Sequence, residues 1–229
     1  ALKVMRKQKM GGSLVYVASK NAFSPGAGFG GYSVSKAGML QLMRIAALEG
    51  GVASLAVASG HAAQFIVFST ILDIGDNFVS SPYLYGGSYR IFTTIFEKYG
   101  IKFHFVNMLD VKNIEEKIND KTKLIWAETP TNPMLNIIDI KKVCDLAHEN
   151  KIMVGVDNTF ATPYLQNPLD LGADIVMHSV TKYLSGHSDV IMGALVCNDP
   201  KLAERLYFIQ NSSGAVCGPM DSFLVLRGI

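Results

Sequence analysis

Cysteine is scarce in this chain. Cys144, Cys197 and Cys217 are the only three in 229 residues, too few and too scattered for a disulfide framework or a zinc site. They read as reduced thiols, as expected of a cytoplasmic protein. A surplus of one charge is lacking too: 21 basic side chains face 19 acidic ones, a formal net charge of +2. The early basic cluster of Lys3, Arg6, Lys7 and Lys9 fits a solvated helix face, and no nucleic-acid partner follows from charge. A long uncharged apolar run is also missing. The stretch from Ser54 to Gly75 comes nearest, but it holds His61, Gln64, Asp73 and two glycines, which argues against a spanning helix and any membrane partner. Lys3 to Lys9 leads into Gly11 and Gly12 and not into an apolar run, so no signal peptide is expected.

What is present points to an α/β enzyme. Apolar residues make up 49% and charged residues 17%, the balance of a soluble α/β protein with buried strands. The length suits one large domain or two small ones. Candidate strands are Leu14–Ala18, Asn77–Ser81, Lys102–Val106, Leu124–Ala127, Ile152–Val156, Ile175–His178 and Ile191–Val196. Candidate helices are Tyr32–Glu49, His61–Leu72, Gly87–Tyr99, Ile114–Ile118, Ile140–Glu149 and Pro200–Gln210. Their alternation predicts a mostly parallel sheet covered by helices on both faces. The strands read as continuous Val, Ile and Leu runs, as expected when both faces are buried. No internal repeat or low-complexity tract is visible, and the Gly50-Gly51 pair is a helix stop that marks a seam.

Two strand ends carry candidate chemistry. The segment from His178 to Asp189 follows a buried strand and places Lys182 beside Ser179, Thr181 and a glycine turn. An amine so placed forms a Schiff base with an aldehyde cofactor if burial and nearby positive charge hold its pKa down. Ser179 and Thr181 are short donors for phosphate oxygens. The same segment fits a polar turn with a surface lysine equally well. Val154 to Thr159 is an apolar strand ending in Asp157, and a buried carboxylate there would keep a pyridine nitrogen protonated. A strand-end aspartate is also a common cap or metal ligand. Ser59-Gly60-His61 opens a helix, where free N–H groups favour a phosphate. Tyr85 beside Gly86 and Gly87 offers a ring to stack on a flat cofactor.

Ser59-Gly60, Tyr85-Gly86-Gly87, Glu128-Thr129-Pro130-Thr131-Asn132-Pro133, Asp157-Asn158-Thr159 and Ser179-Val180-Thr181-Lys182-Tyr183 occur together and in order, with Asp157 midway between Asn132 and Lys182. Over residues 49 to 229 this resembles the Cys/Met-metabolism family of pyridoxal 5'-phosphate enzymes: cystathionine gamma-synthase and lyase, methionine gamma-lyase and O-acetylhomoserine sulfhydrylase. The resemblance implies that Lys182 bonds the cofactor aldehyde and shuttles protons at the α and γ carbons of a small-molecule amino-acid substrate. It implies that Asp157 pairs with the ring nitrogen and Asn132 with the phenolic oxygen. Tyr85 would stack on the ring and assist the leaving group, while Ser179, Thr181 and the backbone at Gly60 and His61 hold the phosphate. The implied fold is the large domain of the type I transferases, a mixed seven-stranded sheet between helices, without the C-terminal small domain. A homo-oligomer, dimer or tetramer, with sites shared across subunits is also implied. No match to the family's phosphate-clamping front segment precedes residue 49. Residues 84 to 229 look most like the cystathionine synthase and lyase branch, and residues 49 to 83 look closer to the sulfhydrylase branch.

Residues 11 to 49 carry a different signature. A strand ends in Ser19, and Tyr32 and Lys36 follow one helical turn apart. This resembles the catalytic serine, tyrosine and lysine of short-chain dehydrogenases, in which the lysine lowers the tyrosine pKa. Gly26 to Gly31 is not taken as a dinucleotide site, because it stands well after the Leu14–Ala18 strand and lacks an acidic residue on a second strand. The reading is therefore of a chimeric chain, with a dehydrogenase-like piece at 1–48 and a cofactor domain at 49–229. The rival functions are a nicotinamide-dependent oxidoreductase and an inactive fragment.

Overall fold

The computed structural model describes residues 44–229. The Leu14–Ala18 strand, most of the Tyr32–Glu49 helix, and Ser19, Tyr32 and Lys36 lie outside the described residues. Among the described residues seven short runs pair as strands: β1 (Ala53–Val57), β2 (Asn77–Ser80), β3 (Lys102–Phe105), β4 (Thr122–Glu128), β5 (Met153–Asp157), β6 (Ile175–Ser179) and β7 (Gly193–Cys197). They form one sheet in the order β1-β7-β6-β5-β4-β2-β3. β7 runs antiparallel to both of its neighbours, and every other pairing is parallel. The expected mixed, mostly parallel sheet is therefore the one observed.

Among the described residues from β1 onward, seven α-helices accompany the strands: α1 (Gly60–Ile71), α2 (Gly86–Ile91), α3 (Val111–Glu115), α4 (Ile140–Glu149), α5 (Thr162–Leu165), α6 (Pro200–Ser213) and α7 (Pro219–Val225). Side-chain alternation sorts the strands' residues onto two faces. Leu55, Val57, Phe78, Leu124, Trp126, Ile175, Met177 and Leu195 pack on the face under α1 and α6. Val79, Ile125, Val154 and Val156 pack on the other face under α3 and α4, continued by Ala56, Val176, Ala194 and Val196 with Ile45 and Val225. Phe68 of α1 anchors the first face, its ring centroid 4.8–5.2 Å from those of Phe78, Phe92, Phe96 and Trp126.

Three departures from the sequence expectation have physical reasons. β1 was read only as the front of an apolar stretch, since Ala-Ser-Leu-Ala-Val carries little β-branched content. It becomes a strand because β7 pairs with it residue for residue from Ala53 to Val57. The helix expected over Gly87–Tyr99 is instead α2 followed by a π turn at Phe92–Phe96 and a 3₁₀ turn at Glu97–Tyr99. α6 runs past Gln210 to Ser213, where Gly214 takes the left-handed cap at φ 69°.

Residues 44–48 are helical, and Ile45 is fully buried among Val176, Val180, Met192 and Val225. Packing is thus continuous across residues 48 and 49, where the seam was expected. All three cysteines are free, with Cys144 and Cys197 buried. Among the described residues no helix is long and apolar enough to cross a membrane.

Removing the central ring should cost most. Phe68→Ala is expected to lower the unfolding free energy by about 3–5 kcal/mol in a denaturant titration. Phe208→Ala, on the exposed face of α6, should change it by less than about 0.5 kcal/mol.

Candidate active site

Parallel pairing brings the carboxyl ends of β2, β4, β5 and β6 to one edge of the sheet, the edge at which open α/β sheets bind ligands. Asp157 closes β5, and Glu128 closes β4 in register beside it. Both are buried, and alternation with Met153 and Trp126 turns both toward the α1 face. Asp157 Oδ1 accepts the Thr159 N–H at 3.0 Å, and Glu128 Oε2 accepts the Tyr85 N–H at 2.8 Å. Burial pushes the Asp157 carboxyl above its ordinary range. Burial, with the Asp157 charge adding to it, pushes Glu128 up to about 8, against the pull of the Tyr85 N–H. Two adjacent buried carboxyl groups favour a shared proton or a cationic partner.

The start of α1 faces this pair. Ser59 caps the helix by accepting the Ala62 N–H at 3.0 Å. Gly60 follows, and a Cβ there would stand 2.8 Å from Ser179 Cβ. A Cβ on Gly193 would likewise meet the Ser59 carbonyl oxygen at 2.2 Å. Only glycine lets the helix start close onto the ends of β6 and β7. The free N–H groups and dipole of this twelve-residue helix then face Ser179. His61 stacks on Tyr85 with ring centroids 5.5 Å apart, and burial followed by the Arg90 charge lowers its pKa. Tyr85 is 47% exposed, which leaves ring surface for a flat partner.

The turn after β6 is closed by Lys182 N–H to Ser179 O at 3.1 Å and by Gly186 N–H to Lys182 O at 2.9 Å. Lys182 is exposed, as in the polar-turn reading of this segment. The Thr181 hydroxyl donates to Met192 O at 3.2 Å and accepts the Met192 N–H at 3.0 Å. Its one proton is therefore engaged, and a phosphate contact requires the hydroxyl to turn. Asn132 is exposed on the loop leaving β4. Contacts thus draw Gly60, His61, Tyr85 and Ser179 together at the edge that Asp157 shares, while Asn132, Thr181 and Lys182 stand on the loops around it.

Sequence reasoning assigned no role to Glu128, Thr159 or Ser59. Glu128 stands within the Glu128–Pro133 motif, and a glutamate ending an apolar strand is itself a signal. Thr159 Oγ1 accepts the Ser179 N–H at 2.7 Å and ties β5's exit to β6's end, a contact that no local pattern announces. Among the described residues no group of His, Cys, Asp and Glu is arranged to hold a metal ion. A helix start packed on a serine, a buried carboxyl seeking a cation, an open aromatic face and an exposed amine together fit a phosphorylated pyridine aldehyde.

Comparison with known proteins agrees with that chemistry. Residues 34–229 match the family described as Cys/Met metabolism PLP-dependent enzyme. The match opens upstream of the expected seam and runs through Lys36, and it lends no support to the dehydrogenase likeness. A cystathionine gamma-lyase of Dictyostelium discoideum is 49% identical over 185 residues, 81% of this chain and 48% of that protein. The cystathionine beta-lyase MetC of Bacillus subtilis (strain 168) is 46% identical over 205 residues, 88% of this chain and 52% of that protein. The crystal structure of metB from Corynebacterium glutamicum superposes with a TM-score of 0.83 at 44% identity, covering 84% of this chain and 50% of that one. The chain spans about half the length of the curated relatives it matches.

Glu128 makes stability depend on pH. Its folded pKa lies above its ordinary value of 4.5, at about 8, so its contribution is complete below about 4.5 and is lost as pH rises through about 8. The melting temperature of the cofactor-free chain should therefore fall across that window, and Glu128→Gln should flatten the fall. Thermal unfolding at fixed ionic strength checks this, and an equal slope in the two proteins would refute it.

Proposed function

The chain belongs to the Cys/Met metabolism PLP-dependent enzyme family, and from that membership we propose that it carries the pyridoxal 5'-phosphate site of a trans-sulfuration enzyme. Its substrate class is a sulfur amino acid such as cystathionine, or an O-acylated homoserine, with bonds made or broken at the γ or β carbon. The observation that carries this reading is the packing of Gly60, at the start of α1, against Ser179 at the end of β6. That contact sets the start of α1 beside Ser179 on the sheet edge that also holds Asp157, which supports an anion site there.

When bound, pyridoxal phosphate supplies an aldehyde for an amine and a ring that accepts the electron pair left at the substrate's α carbon. The chain's own residues do the rest. The Lys182 amine would bond the cofactor aldehyde with loss of water and be released when the substrate's own amine takes its place. As a free amine it would then take the proton from the α carbon and deliver it at the γ carbon. The Asp157 carboxylate keeps a proton on the ring nitrogen, and that positive charge offsets the cost of its own burial. Asn132 binds the ring's phenolic oxygen. Tyr85 covers one ring face and moves the proton that the departing group needs. Ser179, the backbone N–H groups of Gly60 and His61, and a Thr181 hydroxyl turned away from Met192 hold the phosphate.

Several wider statements belong to the same proposal. A homo-oligomer, dimer or tetramer, is supported by the apolar side chains exposed around the site, among them Phe160, Tyr164, Leu165 and Ile191. A cytoplasmic location rests on the three free cysteines. The division of the chain near residues 48 and 49 stands as a proposal too, with the burial of Ile45 favouring a boundary further upstream.

The experiment is borohydride reduction of the full chain with pyridoxal phosphate, followed by peptide mass spectrometry. The expected adduct sits on Lys182 and vanishes in Lys182→Ala. Adducts spread over other lysines with none on Lys182 would overturn the site. Gly60→Val, whose branched side chain enters the Ser179 contact, should weaken cofactor binding by about tenfold or more in an absorbance titration.

A further inference from the structure

Glu49 and His178 are fully buried, 129 residues apart in sequence, and joined at 2.5 Å between Glu49 Oε1 and His178 Nε2. None of the steps above uses either side chain. Two buried ionisable groups are costly to keep and rarely idle. Alternation turns His178 to the face opposite Ser179 and Met177, the face on which Ile45 packs. The pair therefore sits behind the cofactor edge, on the far side of the sheet.

Its connections lead back to that edge. The same Glu49 oxygen accepts the Asn158 side-chain N–H at 2.8 Å, and Asn158 directly follows Asp157. Asn158 also donates to Gln166 O at 2.9 Å, and Gln166 returns a bond to Asn158 Oδ1 at 2.9 Å and reaches Thr129 O at 3.2 Å. Thr129 follows Glu128, and His178 precedes Ser179. One carboxylate oxygen, brought in from outside the sheet, is thus the common acceptor for groups next to Asp157 and Ser179, and one further bond reaches the end of β4. The exit from β5 needs such support. Thr162 N–H bonds Asn158 O at 2.9 Å while Thr162 holds φ 61°, a left-handed conformation that a β-branched residue seldom takes. Asn167 also ties this segment to Leu48 O at 2.8 Å, next to Glu49.

We propose that Glu49 is a positioning residue of the cofactor site, holding the ends of β5 and β6 in fixed relation through Asn158 and His178 so that Asp157 and the Ser179–Lys182 turn address one ring. The part that names the ring rests on the pyridoxal-phosphate reading, and the holding of the strand ends does not. Removing the acceptor strands two buried donors and frees both ends. Removing neighbouring apolar packing weakens the helix without touching either donor.

The test compares Glu49→Ala, Glu49→Gln and Ile45→Ala in the full chain. Hydrogen exchange of the cofactor-free proteins, read by mass spectrometry over residues 157–160 and 177–182, should speed by about tenfold in Glu49→Ala. Glu49→Gln keeps an acceptor oxygen and should restore slow exchange. Ile45→Ala should lower the melting temperature with no selective change in those segments. With pyridoxal phosphate, Glu49→Ala should bind about tenfold more weakly and lose visible circular dichroism from the bound ring, and the glutamine variant should recover both. Unchanged exchange in Glu49→Ala, or the same change in Ile45→Ala, overturns the proposal. If Glu49→Ala does not fold, Gln166→Ala, which removes only the outer arm, must speed exchange over 157–160, or the proposal falls. A wild-type chain that takes no cofactor on Lys182 defeats the functional reading alone, and the exchange measurements still decide the role of Glu49.

Discussion

The parallel register of β4, β5 and β6 is the constraint on which the rest of the structure depends. Parallel pairing sends every strand's carboxyl end to the same edge, so segments far apart in sequence deliver their loops to one place. Pairing Glu128 with Asp157 and carrying the register on to Met177 sets the Asp157 side chain toward the start of α1. A slip of one residue would turn Asp157, Glu128 and Ser179 to the opposite face and bring Val156 or Val180 forward in their place. The deep apolar faces of the sheet resist such a slip because each alternate residue already has its own core.

Burying Asp157 and Glu128 side by side works against folding. Burial raises both pKa values, and the Asp157 charge raises that of Glu128 further. In the proposed function that strain has a use, since a protonated ring nitrogen would supply a compensating positive charge and its binding would relieve a cost of burying the two carboxyl groups. The glycines follow a parallel logic. Gly60 and Gly193 give up side-chain packing so that a helix start can stand against two strand ends, where an anion gains most from it. Local departures of this kind from stabilising choices mark a functional edge within an otherwise consistent fold.

The fold was legible where the signals are local. Ile140–Glu149 was read with its observed bounds, because Asp139 caps its start and its apolar residues recur at helical spacing. Six of the observed strands overlap expected ones, most of them apolar runs flanked by turn residues, such as Ile175–Ser179. β1 escaped because its sequence is weakly β-forming and its strand state is imposed by β7. α5 and α7 escaped because short helices carry too few residues to show a period. At the site, Asp157, Ser179 and Gly60 were readable as a strand end, a strand end and a helix start. The engagement of Thr181 with Met192 was not, since it depends on where β7 begins.

The amino-acid sequence by itself determined the alternation of strands and helices, the chemical types at the strand ends and the family they belong to. Those follow from periodicity, capping and short motifs, each settled within a few residues. Only the tertiary structure decided that Glu128 lies in register with Asp157, that Gly60 closes on Ser179, and that Glu49 reaches His178 and Asn158 behind the sheet. These contacts join segments dozens to more than a hundred residues apart. Such pairings are chosen by which buried faces and buried polar groups can be satisfied together, a condition on the whole chain that no short window contains.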